Sequence, residues 1–120
     1  MKKIKIYQYT KCGTCRKAMK YLEAKKLPHE MIPIVDQPPT KKELKNALDH
    51  LNGDLRKLFN TSGVIYREMQ LSQKIKTMTP KQAIDLLNSN GKLVKRPFVL
   101  TNKGPLVGFN EEVWNEALHS

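Results

Sequence analysis

Cysteine is scarce in this chain, with only Cys12 and Cys15 among 120 residues. Two thiols cannot build a disulfide scaffold. Tryptophan occurs once, at Trp114, and arginine only at Arg16, Arg56, Arg67 and Arg96, although Lys and Arg together number 22 against 11 acids, a formal charge of +11. The motifs that would aim this charge at nucleic acid are missing. There is no dense basic stripe interleaved with aromatics, no RNP-like run and no zinc-finger spacing, so no direct nucleic-acid partner is expected. Solvated lysines on helix faces account for most of the excess. Long hydrophobic runs are also absent. The longest, 31–35, is interrupted by Pro33, against the ~20 residues a spanning helix needs, so no membrane partner is expected. No apolar h-region of roughly 7–15 residues follows the basic start, which reads as no export signal and a cytoplasmic protein. A monomer is expected. The length fits one domain.

The elements follow from periodicity. Residues 4–9 alternate and are β-prone, which predicts a strand. Cys15, Ala18, Met19 and Leu22 then fall at helical spacing, with Lys25 and Lys26 at the C-terminal end and Pro28 beyond it. A second strand is read at 30–35, completing a β-α-β unit of the parallel kind. Thr40 with Glu43 is a capping box opening a helix carrying Leu44, Ala47, Leu48 and Leu51, with Gly53 as its C′ residue. Asp54 caps a short turn bearing Leu55, Leu58 and Phe59, and 60–63 is a loop. Residues 66–75 are weakly helical, with Met69, Leu71 and Ile75 as apolar candidates. Thr79, Pro80 and Gln82 start another helix, burying Ala83, Leu86 and Leu87 and ending at Gly91. Residues 93–100 read as a strand containing Pro97, and 105–109 as the return arm of a hairpin around 102–104. Asn110 caps a last helix facing the core with Val113, Trp114, Ala117 and Leu118.

Cys12-Gly13-Thr14-Cys15 sits where the first strand turns into a helix. A helix N-terminus offers unpaired N–H groups and about half a positive charge, both of which favour a thiolate. Lys11 and Arg16 add charge nearby. Thiols in such settings titrate between about 3.5 and 7.5 rather than near 8.5. Residues three apart at a helix start have Cβ atoms ~5–6 Å apart, within reach of a disulfide after modest adjustment. Cys12, at the exposed end, is then the nucleophile, and Cys15, one turn in, the resolving thiol. Two other readings compete. Half a zinc site would need two more ligands, and His29, His50 and His119 show no paired ligand spacing. Two inert buried thiols would suit Cys15 better than Cys12, which lies in a polar turn. No metal site is expected.

Five motifs taken together resemble a known family: Cys12-Gly13-Thr14-Cys15-Arg16-Lys17-Ala18, Gln37-Pro38-Pro39, Phe59-Asn60-Thr61-Ser62-Gly63, Lys95-Arg96-Pro97 and Val107-Gly108-Phe109-Asn110-Glu111. They resemble the glutaredoxin-dependent arsenate reductase (ArsC) family, which also includes the Spx and MgsR regulators and small reductase-like proteins. The resemblance runs nearly end to end. It implies an α/β, thioredoxin-like (glutaredoxin-like) sheet with an inserted helical block, the core at about 1–37 and 92–120 and the insertion at about 38–91. Cys12 matches the family's catalytic cysteine and Arg16 the Arg after the Cys motif. Arg96 matches the Arg before a proline that is cis beside the active cysteine. Pro97 is accordingly expected to be cis, its competing reading being an edge-strand proline. Lys11, Gly13, Thr14 and Pro97 are the expected substrate-contacting positions.

Two features depart from the arsenate reductases. Cys15 stands where they have Ser, and Asn60 and Phe109 occupy the places of two further Arg. An oxyanion pocket cut from three Arg to one loses most of its bidentate grip. Cys15 instead matches the Cys-x-x-Cys form of Spx-type switches and of several reductase-like members. The first expectation is therefore a thiol–disulfide oxidoreductase acting on a thiol or disulfide substrate, glutathione among the candidates. It would bind no cofactor and take electrons from glutathione or from thioredoxin or glutaredoxin. The alternative is an Spx-like redox-sensing regulator that contacts RNA polymerase. Arsenate reduction comes third.

Overall fold

The computed structural model describes residues 4–9 and 13–118. Its strands are β1 (Ile4–Gln8), β2 (His29–Pro33), β3 (Phe98–Thr101) and β4 (Gly104–Val107). Its helices are α1 (Gly13–Ala24), α2 (Lys41–His50), α3 (Val64–Glu68), α4 (Leu71–Lys74), α5 (Pro80–Ser89) and α6 (Glu111–Leu118). The four strands form one mixed sheet in the order β2-β1-β3-β4. β1 runs parallel to β2 and antiparallel to β3, and β3 is antiparallel to β4. This is the expected α/β class, with β-α-β first and β-β-α last.

Strand alternation gives the sheet two different faces. Ile4, Ile6, Val99 and Leu106 point to one side and pack with Ala18, Tyr21 and Leu22 of α1 and Trp114 of α6. Tyr7 and Phe98 point to the other, where the larger core gathers Leu44, Leu48, Leu58, Phe59, Leu71 and Leu87. The helices between β2 and β3 thus roof one face, while α1 and α6 cover the opposite one. Tyr7 ties strand to roof: its hydroxyl donates to Glu43 Oε1 at 2.8 Å. The same oxygen accepts the Thr40 backbone N–H at 2.9 Å, completing the capping box of α2. Burial first, and the hydrogen bond to the Glu43 carboxylate second, push the Tyr7 phenol well above its ordinary value.

Both capping boxes form as the spacing predicts, at Thr40 with Glu43 and at Thr79 with Gln82. Several details differ. The weakly helical stretch 66–75 is two short helices broken at Gln70, which adopts φ +54°. The stretch 93–100 is strand only from Phe98. Leu93 ends a 3-10 turn, Val94 makes a lone bridge to Phe59, and Pro97 has no N–H to give a ladder. Helix α5 stops at Ser89 with Asn90 as its cap, and Gly91 opens the next turn instead of ending the helix. Gly91 is required there by close approach: a Cβ would lie 1.9 Å from the Ile34 carbonyl oxygen. In α6, Val113 is 50% exposed and not core-facing, because Trp114 alone takes the centre of a narrow buried stripe. Tyr21 and Ile84 are buried where Met19 and Leu86 are only half-buried. No described helix is long and apolar enough to cross a membrane.

Candidate active site

Helix α1 starts at Gly13, so its unpaired N–H groups and the positive end of its dipole lie immediately after Cys12 in the chain. Cys12 and Lys11 themselves lie outside the described residues. Cys15 is fully buried on the inner side of α1. Gly13 and Thr14 are exposed in the first turn, and Thr14 lines an open cleft of about 600 Å³. Arg16 is exposed on α1 and is not among the residues lining that cleft.

The opposite wall comes from the segment before β3. Lys95 and Arg96 both line the cleft, and no carboxylate lines it among the described residues. Arg96 is half-buried, its guanidinium carbon 4.9 Å from the centre of the Tyr9 ring. The Arg96–Pro97 bond is cis, as the resemblance implies, and Pro97 is buried behind the cleft. The Lys95 N–H donates to the Leu58 carbonyl at 2.9 Å, which fixes this segment against the helical roof.

Two further loops close the cleft. Asn60, Ser62, Gly63 and Val64 approach from the start of α3, and Gly108 and Phe109 from the end of β4. The Asn60 N–H donates to Leu93 O at 2.8 Å, anchoring the first loop. Gly108 anchors the second from both sides. Its N–H donates to Pro97 O at 2.8 Å, and its carbonyl accepts the Trp114 indole N–H at 3.1 Å. Gly108 sits at φ +79°, and a Cβ there would meet Lys95 Cε at 2.9 Å, so the lysine stem lies against bare backbone. Phe109 is held edge-on by Trp114 at 4.8 Å and by Tyr21 at 5.7 Å. Burial first, then the Glu111 charge, raises the Tyr21 phenol above its ordinary value.

Of the sequence-derived positions, the structure brings Thr14 and Arg96 to one cleft with Pro97 behind it. Sequence reasoning did not assign Asn60, Ser62, Gly63, Val64, Lys95, Gly108 or Phe109 to a site. Asn60 and Phe109 stood out only as departures from the arginines of the arsenate reductases, while Gly63 was read in a loop and Gly108 in the return arm of a hairpin. Among the described residues no group of three His, Cys, Asp or Glu could hold a metal ion. The arrangement offers two cations, Lys95 and Arg96, and a helix N-terminus beside the Cys-x-x-Cys segment, a setting that favours anionic sulfur and anionic ligands.

A four-stranded mixed sheet with a Cys-x-x-Cys segment entering its first helix defines a protein of the thioredoxin-like class. A solved structure of an ArsC family related protein from Bacteroides fragilis superposes with a TM-score of 0.87 at 46% identity, covering 97% of this chain and 99% of that one. The family model described as the ArsC family matches residues 7–117. The chain therefore belongs to the ArsC family. Among curated relatives, the uncharacterized protein YusI of Bacillus subtilis (strain 168) is 44% identical over 92% of this chain and 94% of its own length. The regulatory protein MgsR of the same organism is 28% identical over 88% of this chain and 82% of its own.

Proposed function

We propose that the chain is a thiol–disulfide oxidoreductase in which Cys12 attacks and Cys15 resolves. The observation that supports this reading best is the cationic cleft, walled by Lys95 and Arg96, at the N-terminal turn of α1, with Cys15 buried one turn in. Cys12 as thiolate attacks a substrate disulfide, forming a mixed disulfide and expelling one substrate thiolate. Cys15, losing its proton, attacks the Cys12 sulfur, closes the Cys12–Cys15 disulfide and releases the second substrate thiol. The substrate gains two electrons, and two equivalents of glutathione, or one reduced thioredoxin or glutaredoxin dithiol, return them to the protein. Exchange of this kind depends on thiolate fraction and on leaving-group pKa. Turnover of glutathione disulfide with thioredoxin or glutaredoxin as donor, and of protein disulfides with each donor, tests the reading. Activity no greater than that of Cys12→Ser across these substrates would sink it.

A second reading, a redox-sensing regulator, is favoured by the likeness to MgsR. Its test is capture of RNA polymerase subunits from lysate by reduced and by oxidised protein. Arsenate reduction is least supported, since Asn60 and Phe109 line the cleft where that chemistry would want arginines. Arsenate-dependent NADPH consumption in a glutaredoxin-coupled assay would revive it.

A further inference from the structure

Arg96 carries a full charge into the cleft, yet among the described residues no carboxylate pairs with it. A long side chain without an ion-pair partner would ordinarily sample many rotamers. Here its guanidinium lies over the face of Tyr9, 4.9 Å from the ring centre. This contact follows from strand register. β1 and β3 pair Lys5 with Leu100 and Tyr7 with Phe98. Tyr9 follows just after β1, and Arg96 precedes β3 in the bend at the cis Arg96–Pro97 bond. The ladder therefore brings the two segments side by side, and the bend, not strand alternation, turns the Arg96 side chain onto the ring.

The ring is itself held from behind. Tyr9 packs against the larger core, and Tyr7 and Phe98 meet edge-on at 5.9 Å one step back along the same pair of strands. The Arg96 backbone is anchored next door by the Lys95 N–H on Leu58 O. Tyr9 does not line the cleft, whereas Arg96 does. An aromatic face attracts a guanidinium and restricts it to a plane without neutralising its charge, as a carboxylate would.

We propose that Tyr9 is a positioning residue whose ring face aims the Arg96 guanidinium at the cleft and so sustains the reactive thiolate next to α1. The inference rests on the oxidoreductase reading through the role given there to Arg96. Its strength comes from keeping a cation both oriented and unpaired, which neither solvent nor an acidic partner would do.

The test is the pH profile of Cys12 alkylation by iodoacetamide in the full chain, with Cys12→Ser as the blank for any reaction at Cys15. Arg96→Gln is expected to move the profile to higher pH. Tyr9→Leu is expected to move it the same way by a smaller amount, slowing alkylation at pH 6 by about two- to fivefold. Tyr9→Phe, which keeps the ring face, is expected to follow wild type. In parallel, NMR reads the Arg96 side-chain protons, expected to carry an upfield ring-current shift in wild type and Tyr9→Phe that is lost in Tyr9→Leu. Should Tyr9→Leu not fold, Tyr9→Met carries both measurements. A Tyr9→Leu profile matching wild type while Arg96→Gln shifts would overturn the inference and leave the oxidoreductase reading standing. A Tyr9→Phe profile matching Tyr9→Leu would assign the effect to the hydroxyl and also overturn it. If Arg96→Gln leaves the profile unmoved, the role given to Arg96 falls and the inference falls with it.

Discussion

Replacing Gly108 by alanine perturbs the cleft at a point where the consequences separate cleanly. Gly108 and Gly53 share the same φ, +79°. A Cβ at Gly53 meets nothing within 4 Å, whereas at Gly108 it meets Lys95 Cε at 2.9 Å. The left-handed conformation costs a non-glycine residue roughly 1–2 kcal/mol, and this is common to both substitutions. For a domain of this size that lowers Tm by about 4–8 °C. The steric conflict at Gly108 adds little to stability, because the clashing atom is near the end of a flexible side chain. To reach ordinary contact of 3.4 Å, Lys95 Cε must retreat by 3.4 − 2.9 = 0.5 Å or more. Its ammonium then leaves its place on the cleft wall. A solvent-facing charge contact is worth about 0.2–1 kcal/mol, so binding of a carboxylate-bearing disulfide such as glutathione disulfide should weaken by up to about fivefold. Urea or thermal melts of Gly53→Ala and Gly108→Ala, with KM for glutathione disulfide, check this. Both variants should lose similar stability, and only Gly108→Ala should raise KM. A Gly108→Ala protein as stable as wild type beside a destabilised Gly53→Ala would refute the backbone argument. Equal KM values in the two would refute the role of Lys95.

Gly91→Ala should be at least as damaging as either. Its Cβ would lie 1.9 Å from Ile34 O and 2.7 Å from the Ile34 carbonyl carbon, both backbone atoms that cannot swing away. Overpacking in a core costs about 1–3 kcal/mol and sometimes more, so a Tm drop at or beyond that of Gly108→Ala is expected in thermal melts. Thr40→Ala and Thr79→Ala each remove the oxygen that caps a helix, at Glu43 N and Gln82 N respectively. Each should lose about 1 kcal/mol by urea denaturation, and their double mutant should be close to additive. Tyr7→Phe removes a phenol whose pKa is raised by folding. The folded state holds that proton more tightly, so the contribution is whole below the ordinary value near 10 and is lost as pH rises above it. The stability gap between wild type and Tyr7→Phe should therefore narrow from pH 8 to pH 11, and a gap that widens would contradict the part-buried hydrogen bond to Glu43.

Much of the local structure was legible because its causes are local. The two capping boxes need only a Thr and a Glu or Gln three residues apart, and both formed. The alternation of 4–9 and the helical spacing of Cys15, Ala18 and Leu22 gave β1 and α1 their places. Boundaries failed where a non-local contact intervened. Gly91 reads as a helix stop, but what holds it glycine is the Ile34 carbonyl, 57 residues away in sequence. Val113 fits a core stripe by spacing, yet Trp114 fills the space available. The segment 93–100 is apolar enough for a strand, but Leu93 and Val94 are claimed by the helical roof through the Phe59 bridge.

By itself, the sequence determined the order of the main elements, the starts of the helices that carry a cap and the placement of two thiols at the entrance of α1, since propensity, capping and period act over a few residues. Only the tertiary structure decided which side chains share the cleft. Thr14, Asn60, Lys95, Arg96 and Phe109 are brought together by sheet register and by three anchored loops, and no short window of sequence encodes that proximity. The few arginines and the single tryptophan acquire meaning in the same way. Arg96 gains a direction from the ring of Tyr9 across the sheet, and Trp114 holds the carbonyl of Gly108. The first contact exists because paired strands bring residues far apart in sequence within a few ångströms, and the second because the turn from β4 into α6 folds Trp114 back onto a residue six positions earlier.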